Sequence, residues 1–274
     1  MWIVGHNLVW HSQIPAWVFH DDKGNLLSRD ALLARMRDHI HTVVGRYKGR
    51  IQSWDVVNEA LNEDGTLRQS LWYKIIGPDY IAKAFEYAHE ADPEAQLTYN
   101  DYNLENAAKR DGAVALVKQL KAEGVPIDCV GIQDHDSLTW PTPVQEDAAI
   151  SAFARLGVRV AISELDIDVL PEATRHQTAD VSVNIAQNPK LNPWPNALPG
   201  SIQQELAKRY AALFAVFLRH RAQISRVTFW GVTDADSWKN DWPVKGRTDY
   251  PLLFDRRGQP KPAFYAVIRE AQKE

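Results

Sequence analysis

Six times along these 274 residues a short run of β-branched and aromatic residues gives way to a polar turn and then to an amphipathic stretch. The strand-like runs fall at 2–9, 51–57, 96–99, 128–132, 158–163 and 226–230. The helical ones fall at about 28–47, 79–91, 109–123, 144–156, 201–220 and 262–271. Ser28 reads as the N-cap of the first helix, with Leu32, Leu33, Met36, Ile40, Val43 and Val44 along one face. Regular strand–helix alternation argues for a parallel sheet covered by helices, and at this length for one α/β domain, 1–274. A TIM-type (β/α)8 barrel closes with eight strands. The six units seen here predict such a barrel in incomplete form, with the first two units missing and the domain N-terminally truncated.

Other features narrow the chemistry. A formal charge of −4 gives no reason to expect nucleic acid or an anionic membrane as partner. No apolar run reaches the length of a membrane span, about 18 residues. The single cysteine, Cys129, has no intrachain partner and sits in an apolar run, which predicts a buried, inert thiol. Met1 leads straight into strand-like sequence, so no signal peptide is visible. The segment 170–200 holds five of the fifteen prolines and reads as a long βα loop walling a site. Ten tryptophans suit core packing, and they also suit a cleft where flat sugar faces stack on indoles.

Two strands end in carboxyl-bearing motifs. The run 51–57 leads into Asn58-Glu59, and the run 158–163 into Glu164-Leu165-Asp166. Barrel enzymes carry their chemistry at the C-terminal ends of strands. Two carboxyls converging on one mouth are what glycosidic bond cleavage requires, one as acid/base and one as nucleophile. On spacing alone, Glu59 is equally a surface carboxylate or a helix-start residue. Glu164 taken singly also suits a structural ion pair with an arginine or histidine, a reading that fits both glutamates together far less well. His6 and His11 lack metal-ligand spacing, so no metal site is expected.

Four ordered motifs resemble the family 10 glycoside hydrolases: 5–13 (GHNLVWHSQ), 54–59 (WDVVNE), 163–166 (SELD) and 229–238 (FWGVTDADSW). The endings 251–255 (PLLFD) and 260–264 (PKPAF) match as well. The resemblance covers nearly the whole chain. It implies a retaining endo-β-1,4-xylanase on an eight-fold β/α barrel, needing no cofactor and acting on xylan and xylo-oligosaccharides. It further implies Glu59 as general acid/base and Glu164 as nucleophile, with Asn58 bonding the sugar 2-OH. His135 would stand beside the nucleophile, oriented by Asp166 behind it, with Gln133 a nearby polar contact. His6, Trp10 and Gln13 resemble glycone-side contacts, Trp230 and Trp238 the indoles around the cleaved sugar, and Tyr102 and Asn103 aglycone-side contacts.

The chain departs from the family pattern at Asp134 and Asp136, which flank the histidine, and in lacking the two opening units whose residues bind the next sugar. Two other readings therefore stand beside endo-xylanase: a catalytically silent xylan-binding barrel fragment, and an endo-hydrolase of another β-1,4-glycan. A gapped barrel exposes two strand edges, rows of unpaired backbone groups that invite self-association. Because xylan is a wall polymer, the full-length parent is expected to be secreted or periplasmic.

Overall fold

The computed structural model describes residues 1–173 and 179–273. The chain divides into two compact units, 1–131 with 152–159, and 132–151 with 160–274.

In the first unit β1 (Val4–Trp10) pairs in parallel with β2 (Ser53–Asn58), and β2 in parallel with β3 (Gln96–Asp101). The next strand, β4 (Cys129–Ile132), follows Asp128, whose amide donates to the carbonyl of Leu97 at 3.0 Å. Every residue of β2 is buried. A parallel strand covered on both faces needs no polar alternation, which is why 53–58 reads as a continuous run. Around these strands lie α1 (Arg29–Arg46), α2 (Leu71–Ile76), α3 (Tyr80–Ala91) and α4 (Ala107–Ala122).

Ser28 does cap α1, its hydroxyl accepting from the Ala31 amide at 3.3 Å. Leu32, Met36, Ile40 and Val44, spaced by one helical repeat, are the buried stripe. Leu33 and Val43 lie at its half-buried margins. Arg35 on α1 donates to the carbonyls of Trp17, Val18 and His20 at 2.6–3.1 Å and fixes the loop that follows β1. Gly5 is required by contact, since a Cβ there would meet the Trp54 indole at 2.1 Å. The helix α2 was not expected from the pattern. Its six residues are too short to establish a period.

In the second unit β5 (His135–Ser137) and β7 (Ile224–Phe229) both pair in parallel with β6 (Arg159–Asp168). Its helices are α5 (Pro143–Ala154), α6 (Gly200–Arg219) and α7 (Pro262–Ala271). All six expected strand-to-helix steps are present among the described residues. The expected end of the fifth strand at 163 is corrected. β6 continues through Glu164 and Asp166 to Asp168 because β5 supplies a partner for its second half, pairing His135 with Asp166 and Ser137 with Asp168. A strand of three residues carries too little pattern to be read in advance.

The segment 170–200 is largely irregular, as expected, with a 3-10 turn at Pro189–Leu191. The part of that expectation falling on 174–178 lies outside the described residues. Tyr250 donates its hydroxyl to the Trp194 carbonyl at 2.7 Å, and Asn192 donates to that of Gly246 at 3.1 Å. Both tie the segment to the loop after β7. Cys129 is buried. Among the described residues no helix is long and apolar enough to cross a membrane.

Candidate active site

Glu59 follows β2 directly and takes a left-handed backbone conformation, φ +56°. A glutamate rarely adopts that geometry without external support. Here its amide donates to the Asn100 carbonyl at 2.9 Å, and its own carbonyl accepts from Arg68 at 3.1 Å. The carboxylate is only 5% exposed and is gripped from two sides. Trp10 donates its indole N–H to Oε2 at 2.7 Å, and Asn58 donates to Oε1 at 3.2 Å. Asn58 is itself fixed by Asn100, which donates to its Oδ1 at 2.9 Å. The structure thus brings together Trp10, Asn58 and Glu59, as expected for residues of one site.

The remaining first-unit candidates stand one step away from this group. His6 meets Asp55 through Nδ1 at 3.0 Å. Gln13, exposed and at φ +53°, joins Trp10, Trp17 and Trp72 in lining a cavity of about 270 Å³ beneath the loop after β1. Tyr102 is connected through Arg68, which donates to its hydroxyl at 3.2 Å, and Asn103 donates to Glu63 at 3.0 Å. Arg68 was missed in the sequence. It lies in a polar loop, and only the antiparallel bridge Leu61–Leu67 turns it back under Glu59.

Beneath Tyr102 lies a buried ionic core. Asp101 and Lys109 are both fully buried and 3.0 Å apart, with Glu63 2.9 Å from the same ammonium. Tyr99 donates its hydroxyl to Asp101, and the Lys109 Nζ sits 3.5 Å from the centre of the Tyr102 ring. Burial by itself would drive Lys109 towards the neutral amine. Asp101, followed by Tyr102 and Glu63, outweighs burial and holds it above the usual lysine value.

In the second unit a relay of contacts ends on Glu164, which lies inside β6 and is 4% exposed. His135 places Nε2 3.1 Å from Glu164 Oε2 and Nδ1 3.0 Å from Asp166 Oδ1. Strand geometry explains the pairing. Glu164 and Asp166 are two apart and so share a face of β6, and β5 runs in parallel register with His135 opposite Asp166. The Gln133 carbonyl accepts from the Glu164 amide at 3.0 Å, so Gln133 joins the group through its backbone.

Trp238 donates its indole N–H to Asp166 Oδ2 at 2.7 Å and lies 4.9 Å from the imidazole, centre to centre. Trp230 meets the same imidazole edge-on at 6.5 Å. Of the two flanking carboxylates, Asp136 pairs with Arg209 of α6 at 3.0 Å. Asp134 adopts φ +56°, and its carbonyl accepts from the Asp166 amide at 3.2 Å.

The electrostatics of the relay have a definite direction. Burial of His135 disfavours its charged form, but Asp166 and then Glu164 outweigh burial and raise the imidazole to about 9. At neutral pH His135 is therefore an imidazolium that donates to both carboxylates. Burial of Asp166 would likewise raise its carboxyl. Lys239, His135 and the Trp238 hydrogen bond together hold it below the usual value. Because His135 is raised in the folded state, its contribution to stability is full below about 6.5 and is lost as pH rises through about 9. Nitrogen-15 NMR of the ring is expected to show both nitrogens protonated at pH 7. A neutral tautomer at that pH would contradict the assignment.

The family described as glycosyl hydrolase family 10 matches residues 1–270. An endo-1,4-beta-xylanase A from Xylanibacter ruminicola is 46% identical over 98% of the chain and 73% of its own length. A GH10 endoxylanase retrieved from a sugarcane soil metagenome superposes with a TM-score of 0.96 at 51% identity, over 98% of this chain and 78% of that one. An intracellular xylanase from Thermoanaerobacterium saccharolyticum, solved with xylotriose, gives 0.82 at 39%, over 97% and 75%. Sequence, strand topology and site thus converge: the chain belongs to glycosyl hydrolase family 10, with the TIM-barrel fold and the retaining endo-1,4-β-xylanase activity of that family.

Proposed function

We propose that Glu164 is the nucleophile and Glu59 the general acid/base in the double-displacement hydrolysis of xylan and xylo-oligosaccharides. The observation that supports this most is the His135 imidazolium held against Glu164 by Asp166. A ring N–H donating to one carboxylate oxygen fixes the orientation of the group, as a positioned nucleophile requires. One oxygen is bound by His135, and the other is the candidate attacking atom. Glu59 protonates the leaving oxygen in the first step, and in the second it takes a proton from the water that releases the sugar. Trp10 and Asn58 fix its side chain while this happens.

Asn58, His6, Gln13, Tyr102, Asn103, Trp230 and Trp238 are the candidate sugar contacts. Xylotriose in a 39%-identical relative supports a xylose polymer as substrate. A 2-deoxy-2-fluoro xylobioside with a good leaving group slows the second step more than the first, so the covalent intermediate accumulates. Peptide mass mapping is expected to find the sugar on Glu164. A label on another residue, or product of inverted anomeric configuration, would overturn the assignment.

The finer architectural reading is a barrel with six of eight units. The six strand-to-helix steps support it, as do the chain's shares of 73% of the Xylanibacter ruminicola relative and 78% of the soil-metagenome enzyme. Among the described residues β1 pairs only with β2 and β7 only with β6, and every residue of β7 is half-buried. These edges support self-association, without nucleic acid or membrane as partner. A strictly monomeric sedimentation profile at high concentration would refute that association. We also infer that the parent enzyme acts outside the cytoplasm, where its polymer substrate lies. One relative is described as intracellular, so fractionation of producing cells is the deciding measurement.

A further inference from the structure

Lys239 follows Trp238 in the loop after β7, and beyond its charge acting on Asp166 it is assigned no role in the steps proposed above. Its side chain is 1% exposed. Among the described residues its ammonium makes no hydrogen bond, an unusual state for a buried cation. It lies 4.9 Å from the centre of the Trp238 ring and 5.7 Å from that of Trp242, and the two indoles stack at 4.3 Å. The nearest carboxylate oxygen is Asp166 Oδ1 at 3.5 Å, the atom that also faces His135 Nδ1.

We propose that Lys239 is a positioning residue for this reaction, its buried ammonium keeping Asp166 as the anion that holds the His135 imidazolium against Glu164. The inference rests on Glu164 acting as nucleophile.

The surrounding charges leave Asp166 as the partner of Lys239. Asp168, on the same strand, already has a cation partner in Arg247 at 2.7 Å. Asp249 is pushed well above the usual carboxyl range by burial and then by Asp168, which keeps it towards its neutral form. Tyr210 of α6, also buried, is raised well above its usual value and stays a neutral phenol. Among the described residues, His135 of β5 is the other cation acting on Asp166. The ammonium lies beside the stacked indoles, within the roughly 6 Å over which a ring attracts a cation. An ammonium this close to a fully buried carboxylate favours ionisation, which burial opposes.

The test combines three variants with one measurement on the parent enzyme. Lys239→Met keeps the length of the side chain and its packing beside the stacked indoles while removing the charge. Lys239→Gln is a second neutral replacement, and Lys239→Arg restores the charge. In either neutral variant the acidic limb of kcat/KM on xylohexaose is expected to move up by about one pH unit or more, a loss of about tenfold below the limb. KM should stay nearly constant, and Lys239→Arg should retain the parent profile. A packing role alone would lower thermal stability and leave the limb in place, which would overturn the proposal.

Carbon-13 NMR of the Asp166 carboxyl in the parent enzyme requires no variant to fold. The proposal demands titration below the usual carboxylate range, and titration within or above that range would also overturn it. If Glu164→Gln were to keep full activity, the nucleophile assignment would fall instead. The Asp166 carboxyl titration, compared between the parent and Lys239→Met, would still report on Lys239 and Asp166.

Discussion

Glu164→Gln is expected to lower kcat on xylan by about 10⁴-fold or more, the scale seen when a covalent nucleophile is removed. The amide is nearly isosteric but too weak a nucleophile to form the glycosyl–enzyme bond. Its carbonyl oxygen can still accept from the His135 imidazolium, so the loss reads the missing nucleophile rather than a broken relay. Glu59→Gln should behave differently. On xylan it should lose about 10² to 10⁴-fold, the range for general acid–base catalysis. An aryl xylobioside with a nitrophenolate leaving group needs little protonation, so there the first step should be largely spared. Azide, which attacks the intermediate without a general base, should then restore turnover and yield a β-glycosyl azide. Equal losses for both variants on both substrates, without azide rescue, would contradict the division of roles.

The second large effect concerns stability rather than catalysis. Lys109→Met is expected to destabilise the fold by about 3–5 kcal/mol, because removing one partner strands the buried Asp101 carboxylate. Tyr99 and the Tyr102 amide still donate to Asp101, so its loss of partners is incomplete. Urea denaturation at pH 7 reads the effect directly. Pairing Lys109→Met with Asp101→Asn in a double-mutant cycle should recover much of the loss, since the stranded charge is then gone. The sign of the pH dependence follows from Lys109. Its ammonium is held above the usual lysine value, so the contribution is full below about 10.5 and is lost as pH rises through the folded-state value. A variant within about 0.5 kcal/mol of the parent, a typical surface effect, would mean that the pair contributes no net stability.

Much of this molecule was readable in advance where the signal is local. The Ser28 cap and the four-residue spacing from Leu32 to Val44 identify α1, because both act within one or two helical turns. The apolar run before Asn58-Glu59 marks β2, because a doubly covered parallel strand needs no polar alternation. Elements below the length of a period escaped. The helix α2 and the strand β5 are too short to repeat, and β6 was cut short at 163 because its second half depends on β5. Within the site, Trp10, Asn58, Glu59, His135, Glu164 and Asp166 were named from motifs. Arg68, Asn100, Lys239 and Trp242 were not, since nothing in their own surroundings in the chain sets them apart.

Order along the chain determined six strand-to-helix steps, the two carboxyl-bearing strand ends and the residue types around them, because periodicity and capping are short-range properties. Folding decided which buried groups meet. His135 reaches Glu164 and Asp166 only through the parallel register of β5 on β6, and Lys239 reaches Asp166 only when the loop after β7 is packed. Whether a carboxylate or an imidazole carries charge depends on burial and on neighbours within a few ångströms, and both exist only once distant segments have been brought into contact.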